Sequence, residues 1–486
     1  MQKRKKKYQK NQVIGGWKLQ HRLGTGGNGE VWCAQKDNNI GAIKLLKKIE
    51  LNTYKRFKSE VYAISSNQNI SGVIRIVDKY LPEDITNDIP WFVMPVCIKF
   101  SEWRKGRNIL DVMKEMLFLG KTLQELHDGK YYHRDIKPAN ILFHEERLNL
   151  SDFGLVKYPN SNNFTGKRED VGPKFTMAPE MRRNASEANG ELADIYSFAK
   201  TLWIAITGDM MCFDGQYNVF STVSINPHCE GLYTKTLNDL LAQCTEHTPE
   251  SRPKMIEVIE RLDEWIKINE DFHSQNLTEW FDLQNRVFPA GSPKSVTWVD
   301  KNSILTILNE IAHVDSLNHT FLPDGGGHTF IDAISANEEG FIALKITDKL
   351  HYTFRPKKLT YESFGVDAQW NYFRLEVEIV QRTGIYKPNK YDYSCEEVVE
   401  IEPNVYIERY CWDENEYEGE MLPKTAKLLC RYIKGCFVIF STRSIYNRVS
   451  DTYDGRHNTM KEYEFRDYIE SNARSHKKIL VKNYGY

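Results

Sequence analysis

Four side chains within eighteen residues have the types and spacing that phosphoryl transfer requires. Asp135, Lys137 and Asn140 stand in His133-Arg134-Asp135-Ile136-Lys137-Pro138-Ala139-Asn140, and Asp152 opens Asp152-Phe153-Gly154. In-line transfer of a phosphoryl group asks for positioning and charge stabilisation more than for covalent chemistry. Asp135 is an isolated carboxylate suited to accept a hydroxyl proton. Lys137 can neutralise charge on the transferring group. Asn140 and Asp152 offer the hard oxygen ligands that Mg2+ prefers.

Two further groups lie upstream. Ala42-Ile43-Lys44 sets a lysine among apolar residues, fifteen positions past Gly29. Alone, Lys44 reads equally as a solvated charge on a strand face. Glu60, sixteen residues later on a predicted helix, makes it informative, because a buried ammonium needs an opposite charge. A Lys44–Glu60 pair would aim the lysine at the α- and β-phosphates of ATP. Before both comes Leu23-Gly24-Thr25-Gly26-Gly27-Asn28-Gly29-Glu30-Val31. Glycine lets the backbone approach phosphate oxygens and adopt positive φ, although a hairpin turn favours it too. A dinucleotide fold needs a helix after such glycines, and here a strand is predicted.

The elements that must position these groups change character at about residue 100. Trp17–Leu23, Glu30–Lys36 and Gly41–Lys47 read as strands separated by short turn signals. Lys55–Ser66 carries Phe57, Val61 and Ile64 on one helical face. Val73–Tyr80 and Trp91–Cys97 are two further strand candidates. From Leu110 to His127 the stripe Val112, Met116, Leu119, Leu123, Leu126 is helical, and more helices are predicted over 193–207, 236–245 and 254–268. Five strands and a helix followed by a helical lobe make an α+β fold.

The 486 residues exceed one core, and the prior for that length is about three domains. Hydrophobic and charged fractions of 41% and 27% are those of a globular protein rather than a disordered one. A formal charge of −1 gives no global field toward nucleic acid. The exception is Lys3, Arg4, Lys5, Lys6, Lys7 and Lys10, with no acid among them. Residues 1–13 therefore read as a basic, solubilising tail. No apolar run approaches the ~18–20 residues of a membrane span, and no apolar segment of a signal peptide follows the basic run. Nine scattered cysteines without a Cys-x-x-Cys pair read as reduced thiols of a cytoplasmic protein.

With these motifs in order, residues of about 14–268 resemble the eukaryotic-type serine/threonine protein kinase family. The resemblance implies a bilobal fold, an antiparallel five-stranded N-lobe (14–97) and a helical C-lobe (98–268), using ATP and Mg2+ on protein substrates. It implies that Gly24, Gly26 and Gly29 cover the phosphates, with Leu23 and Gly27 also among the ATP-binding residues. Val31, Ala42 and Leu142 would sandwich the adenine, with Met94 at the back of the pocket. The Pro95 carbonyl and the Cys97 amide would bond the adenine edge. Asp135 and Lys137 would be catalytic with Lys44 and Glu60, and Asn140 and Asp152 would hold the metal. Ala178-Pro179-Glu180 would end the activation segment, Arg252 would pair with Glu180, and Asp194 would accept backbone N–H bonds from the catalytic loop. Otherwise Asp194 is a plain acid near a helix N-terminus.

The sequence departs from that family in one place. The threonine expected seven residues before Glu180 is Pro173, and Thr176 sits where an aromatic is usual. Arg134 suggests a segment ordered by negative charge, with Ser161 and Thr165 as phosphorylation candidates and Glu169-Asp170 as a built-in alternative.

Residues 269–296 read as a linker and 297–486 as a mixed α/β accessory domain, regulatory or target-recognising. Strand-formers cluster at Phe341–Thr347, His351–Arg355, Tyr372–Val380 and Val398–Tyr406, while Leu428–Phe440 fits helix and strand equally. Asp324-Gly325-Gly326-Gly327-His328 reads as a flexible turn, since no Lys-Ser/Thr follows. Arg355-Pro356-Lys357-Lys358 and 474–482, near Tyr352, Phe354 and Tyr484, read as solvated surface in preference to a nucleic-acid contact. Two rival functions stay open: a nucleotide-binding pseudokinase scaffold, and a kinase of small molecules. Intact Lys44, Asp135, Asn140 and Asp152 count against the first. The Ala178-Pro179-Glu180 and Arg252 pattern counts against the second.

Overall fold

A computed structural model describes residues 7–25, 29–47, 50–159 except 84, 86 and 87, 175–321, 327–378 with short breaks, 436–440 and 460–484. Between 379 and 435 it describes only the backbone of short strands. The chain divides into two compact units, Met1–Glu270 and Asp271–Tyr486.

The first unit opens with a six-stranded antiparallel sheet. Its strands are β1 (Val13–Ile14), β2 (Trp17–Thr25), β3 (Gly29–Lys36), β4 (Asn39–Leu46), β5 (Asp78–Tyr80) and β6 (Trp91–Met94), ordered β1-β2-β3-β4-β6-β5. Side chains alternate across a strand, and β4 shows the consequence. Ile43 and Leu45 face outward with Trp17, Leu19, Trp32, Trp91 and Val93. Ala42 and Leu46 face inward with Phe92 and Met94 onto helix α1 (Leu51–Ser66). Lys44 shares that inward face. The α1 residues Phe57, Val61 and Ile64 are buried as their spacing predicts, and so is Glu60.

The sequence led us to expect five strands and a free basic tail, and both expectations need correction. Ile14 pairs with Trp17 across Gly15-Gly16, which hold φ of +59° and +85°. Positive φ at both central positions of a two-residue hairpin favours glycine. At Gly15 a Cβ would also lie 2.1 Å from the Trp91 ring. The hairpin folds residues 7–14 back over the outer face, where Tyr8 is buried and its hydroxyl donates to the Leu46 carbonyl. The local charge concealed an aromatic anchor. Val73–Tyr80 is likewise strand only over Asp78–Tyr80, because Ile74 N–H bonds Leu150 O instead of the sheet.

The rest of this unit is helical. Short α2 (Phe100–Trp103) leads to α3 (Ile109–Asp128), capped by Asn108, whose side chain accepts from Leu110 N. The predicted stripe from Val112 to Leu126 is fully buried. Strands β7 (Ile98–Lys99), β8 (Ile141–His144) and β9 (Arg147–Leu150) form a small sheet. Helices α4 (Pro179–Asn184), α5 (Gly190–Thr207), α6 (Lys235–Cys244) and α7 (Met255–Glu270) follow. Nearly all of α5 is buried.

In the second unit the expected linker is mostly helix, α8 (Phe272–Val287), started by Asp271, which accepts from Ser274 N. Trp280 and Leu283 join Ile304, Leu308 and Ile311 of α9 (Lys301–Ala312) in one core. That core covers one face of an antiparallel sheet in which Cys436–Phe440, Tyr372–Glu378 and His351–Glu362 are successive neighbours. On the other face, Tyr372 and Val438 meet Phe465 and Ile469 of α10 (Glu462–Tyr484). The ambiguous stretch 428–440 proves to contain two strand segments, Lys427–Leu429 and Cys436–Phe440. Tyr352 and Phe354 are buried, and Lys357 pairs with Glu376, so these basic and aromatic side chains do not share a surface. Asp324, Gly325 and Gly326 lie outside the described residues.

Two measurements check these corrections. Tyr8→Ala should destabilise the first unit by about 3 kcal/mol through lost ring burial. Tyr8→Phe should cost about 1 kcal/mol through the lost hydrogen bond. Chemical denaturation would show no change for either if residues 1–13 were a free tail. Cutting after Glu270 should release two folded pieces, whereas a piece beginning at 297 lacks Trp280 and Leu283 and should be insoluble or molten by near-UV circular dichroism.

Candidate active site

The site begins with a strained backbone. Arg134 and Asp152 adopt φ of +66° and +59°, a left-handed conformation that costs a non-glycine residue about 1–3 kcal/mol. The fully buried Asp194 on α5 holds the first of these turns. Its carboxylate accepts from His133 N at 2.7 Å and Arg134 N at 2.6 Å. His127 Nε2 lies 3.1 Å from the same group. Asp194 thus engages two backbone N–H groups of the loop, more than a plain helix-terminal acid would.

The turn aims Asp135 inward. Its carboxylate accepts from Lys137 Nζ at 2.7 Å and from Asn140 Nδ2 at 2.9 Å. Burial raises its pKa above the ordinary aspartate value, with Lys137 opposing. Asn140 Nδ2 also donates to the Asp135 carbonyl at 2.9 Å, which leaves its amide oxygen for a cation. His133 ties this loop to the next strand. Its Nε2 meets Ser151 O at 3.1 Å and its Nδ1 accepts from Asp135 N at 3.3 Å, so the partners assign the hydrogen to Nε2. Its ring packs 4.6 Å from that of Phe153.

Lys44 closes the arrangement from β4. Its Nζ lies 2.6 Å from Glu60 Oε1 and 3.0 Å from Asp152 Oδ1. Burial works against the ammonium, but Asp152 and Glu60 outweigh it and raise the Lys44 pKa. Lys44 in turn holds the Asp152 carboxyl below its ordinary value. Burial pushes Glu60 up against the pull of Lys44. Among the described residues no three His, Cys, Asp or Glu side chains converge as a metal cage. One carboxylate and one amide oxygen nevertheless suit Mg2+, which takes few protein ligands and completes its shell with water and phosphate oxygens.

The residues expected around the adenine lie on β2, β3, β4, β6 and β8 and just after β6. Ala42 and Met94 are buried, pair across β4 and β6, and have Leu23, Val31 and Cys97 packed against their cluster. Leu142 is half-buried on β8, opposite Lys99. The Pro95 carbonyl accepts from Cys97 Sγ at 3.3 Å. Gly24 and Gly29 flank the hairpin between β2 and β3, while Gly26 and Gly27 lie outside the described residues, as do Ser161, Thr165, Glu169, Asp170 and Pro173. Thr176 is buried. Arg134 is buried with its guanidinium on the Ala185 carbonyl. Farther on, Arg252 grips Glu180 with two bonds, Nη1–Oε1 at 2.7 Å and Nη2–Oε2 at 3.0 Å, and Nη1 also donates to Leu192 O at 2.9 Å. Sequence reasoning missed His127 and Ser151, neither of which carries a distinguishing local pattern.

A sheet lobe with an inward lysine, joined to a helical lobe with this loop, defines a protein kinase domain. The family model described as protein kinase domain matches residues 17–265, and the chain belongs to that family. It is similar to Serine/threonine-protein kinase STY17 of Arabidopsis thaliana, 26% identical over 51% of this chain and 45% of that protein. It is similar to Serine/threonine-protein kinase A of Synechocystis, 27% identical over 52% of this chain and 53% of that protein. Receptor-interacting serine/threonine-protein kinase 3 of Homo sapiens is 25% identical over 52% of each. The chain thus spans about half the length of these relatives.

The three-way contact of Lys44, Glu60 and Asp152 predicts non-additivity. Lys44→Ala and Glu60→Ala should each cut phosphotransfer, and the double variant should lose less than the sum, because the two act as a unit. Strictly additive losses in steady-state rates would count against a direct pair.

Proposed function

We propose that this chain is an ATP-dependent serine/threonine protein kinase that transfers the γ-phosphoryl group to protein hydroxyls, its own among them. The observation that carries this is the joint placement of Asp135 on Lys137 and Asn140, and of Lys44 on both Glu60 and Asp152. Asp135 orients the acceptor hydroxyl and takes its proton as the new O–P bond forms and the bond to ADP breaks. Lys137 balances charge on the transferring group. Lys44, steadied by Glu60, binds the α- and β-phosphates. Asn140 and Asp152 would hold Mg2+, which when bound neutralises the phosphate oxygens. Gly24, Gly26, Gly27 and Gly29 cover the phosphates. Leu23, Val31, Ala42, Met94 and Leu142 enclose the adenine, whose edge meets the Pro95 carbonyl and the Cys97 amide.

The Lys137-Pro138-Ala139-Asn140 form supports a serine or threonine acceptor, and so do the names of the relatives. The Glu180–Arg252 fork supports a protein substrate over a small molecule. Ser161 and Thr165 are the proposed autophosphorylation sites. Asp271–Tyr486 is proposed to regulate the kinase or recognise its targets. A cytoplasmic location is part of the proposal. Six free cysteines among the described residues support it. No helix among the described residues is long and apolar enough to cross a membrane.

Labelled-ATP incorporation with mass-spectrometric site mapping tests the reading. Asp135→Asn should keep ATP affinity within a few-fold and lose at least about 10²-fold in turnover, a typical acid–base contribution. Full activity in that variant, or phosphotyrosine as the main product, would overturn the assignment. In the wild type, turnover should fall on the acid side as Asp135 takes up a proton, with a midpoint above that of an ordinary aspartate.

A further inference from the structure

Helix α1 carries Glu60 inward, and half a turn later it presents Tyr62 outward, 54% exposed. Tyr131 stands just before the catalytic loop, and Tyr158 stands six residues past Asp152. A backbone bridge sets the last two side by side. Tyr132 N–H donates to Lys157 O, and Lys157 N–H to Tyr132 O, each at 2.9 Å. The Tyr131 and Tyr158 rings stack at 5.5 Å with 22° between their planes. Tyr158 also lies 5.2 Å from the Tyr62 ring. The Tyr131 hydroxyl lies within electrostatic range of Ser66 and Tyr62, both on α1. Three stretches of chain converge here through aromatic rings: the helix bearing Glu60, the entry to the catalytic loop, and the segment after Asp152.

We infer that Tyr62, Tyr131 and Tyr158 form a latch that holds α1 against the segment following Asp152 and so keeps Glu60 on Lys44. These are positioning residues, since none is placed on phosphate, metal or acceptor. The latch works through separation of tasks. Glu60 and Asp152 both draw on Lys44, but a single lysine on a flexible stem cannot fix the helix that presents its partner. Stacked rings on rigid backbone can, and two aromatic pairs of ordinary strength are worth about tenfold in an equilibrium. The partly exposed position of Tyr62 also makes the cluster separable from the core, so it can open without unfolding the unit.

The role of the latch in turnover rests on the kinase reading above, but its effect on α1 does not. The test therefore uses two readouts on the full chain: amide hydrogen exchange over residues 51–66, and phosphotransfer rates against ATP concentration. Tyr158→Ala should speed exchange over 51–66 and lower kcat, each by about tenfold, with a smaller change in KM for ATP. Tyr158→Phe keeps the ring and should restore both. Adding Tyr158→Ala to Glu60→Ala should cost little further rate. If exchange over β2–β4 also rises, Tyr158→Ala has disturbed the fold, and Tyr62→Ala, at an exposed site, carries the same expectations in its place. Wild-type exchange over 51–66 in the alanine variant, or losses additive with Glu60→Ala, would overturn the latch. A wild-type chain that transfers no phosphate would overturn the kinase reading alone, and exchange would still decide the latch.

Discussion

The first unit hangs on one buried carboxylate. Asp194 is fully buried, and among the described residues no lysine or arginine forms an ion pair with it. An ionised carboxylate removed from water without compensation is costly. Here the compensation is two backbone N–H groups and the His127 ring. Hydrogen bonds to a charged group contribute about 1.5–3 kcal/mol each, enough to offset the left-handed turn at Arg134. The dependence runs both ways. Without Asp194 the turn has no reason to persist, and without the turn Asp194 is an unsatisfied charge on a helix that is almost wholly buried. A cation at this place would neutralise the acid but leave the backbone free to relax, so backbone donors are the partners that impose geometry.

From that fixed point a continuous path of short contacts reaches the other lobe. The turn sets Asp135, which engages Lys137 and Asn140. His133 carries the position on to Ser151 and Phe153. Asp152, held in its own left-handed turn, then meets Lys44, and Lys44 meets Glu60. Each step joins a side chain to rigid backbone or to a group already fixed by one. An acid on α5 thereby helps to determine where a lysine on β4 can sit. The step between Asp152, Lys44 and Glu60 is the softest, because it rests on long side chains rather than main chain, and it is the step that the tyrosine cluster braces.

How much of this was legible depended on whether chemistry or packing chose the residues. Asp135, Lys137, Asn140 and Asp152 were readable because charge stabilisation permits few residue types at that spacing. Strands β2, β3 and β4 were readable because short turns separate alternating runs. The same logic failed where two signals competed. Around Tyr8, six basic residues outweighed one aromatic anchor in the sequence, and the anchor decides the structure because burying the Tyr8 ring leaves Lys7 and Lys10 exposed to solvent. In residues 272–287 the polar texture suggested a linker, yet Trp280, Leu283 and Val287 recur at three- and four-residue intervals. The helix was visible in that period and hidden by composition. In 428–440 apolar residues interrupted by Arg431 and Lys434-Gly435 contribute to two separate strand segments, Lys427–Leu429 and Cys436–Phe440, and periodicity alone did not mark the break. His127 was illegible for another reason: its partner is sixty-seven residues away, and only the fold brings them together.

The two cores also constrain how the chain can be regulated. The groups assigned to phosphoryl transfer fall between Gly24 and Asp152, and the fork that steadies their platform ends at Arg252. The second unit has its own core, with helices on both faces of its sheet. Apart from recruiting a target, a unit to which no reacting group is assigned alters a rate by shifting the population of arrangements in the unit that holds them, through its differential affinity for those arrangements. The natural target of such a shift is the step held by side chains rather than backbone. Moving Glu60 away from Lys44 abolishes an ion pair but leaves Asp194, the catalytic turn and the Arg252 fork untouched. Regulation can therefore act on α1 without unfolding the site, and the strain stored at Arg134 and Asp152 stays in place for the return.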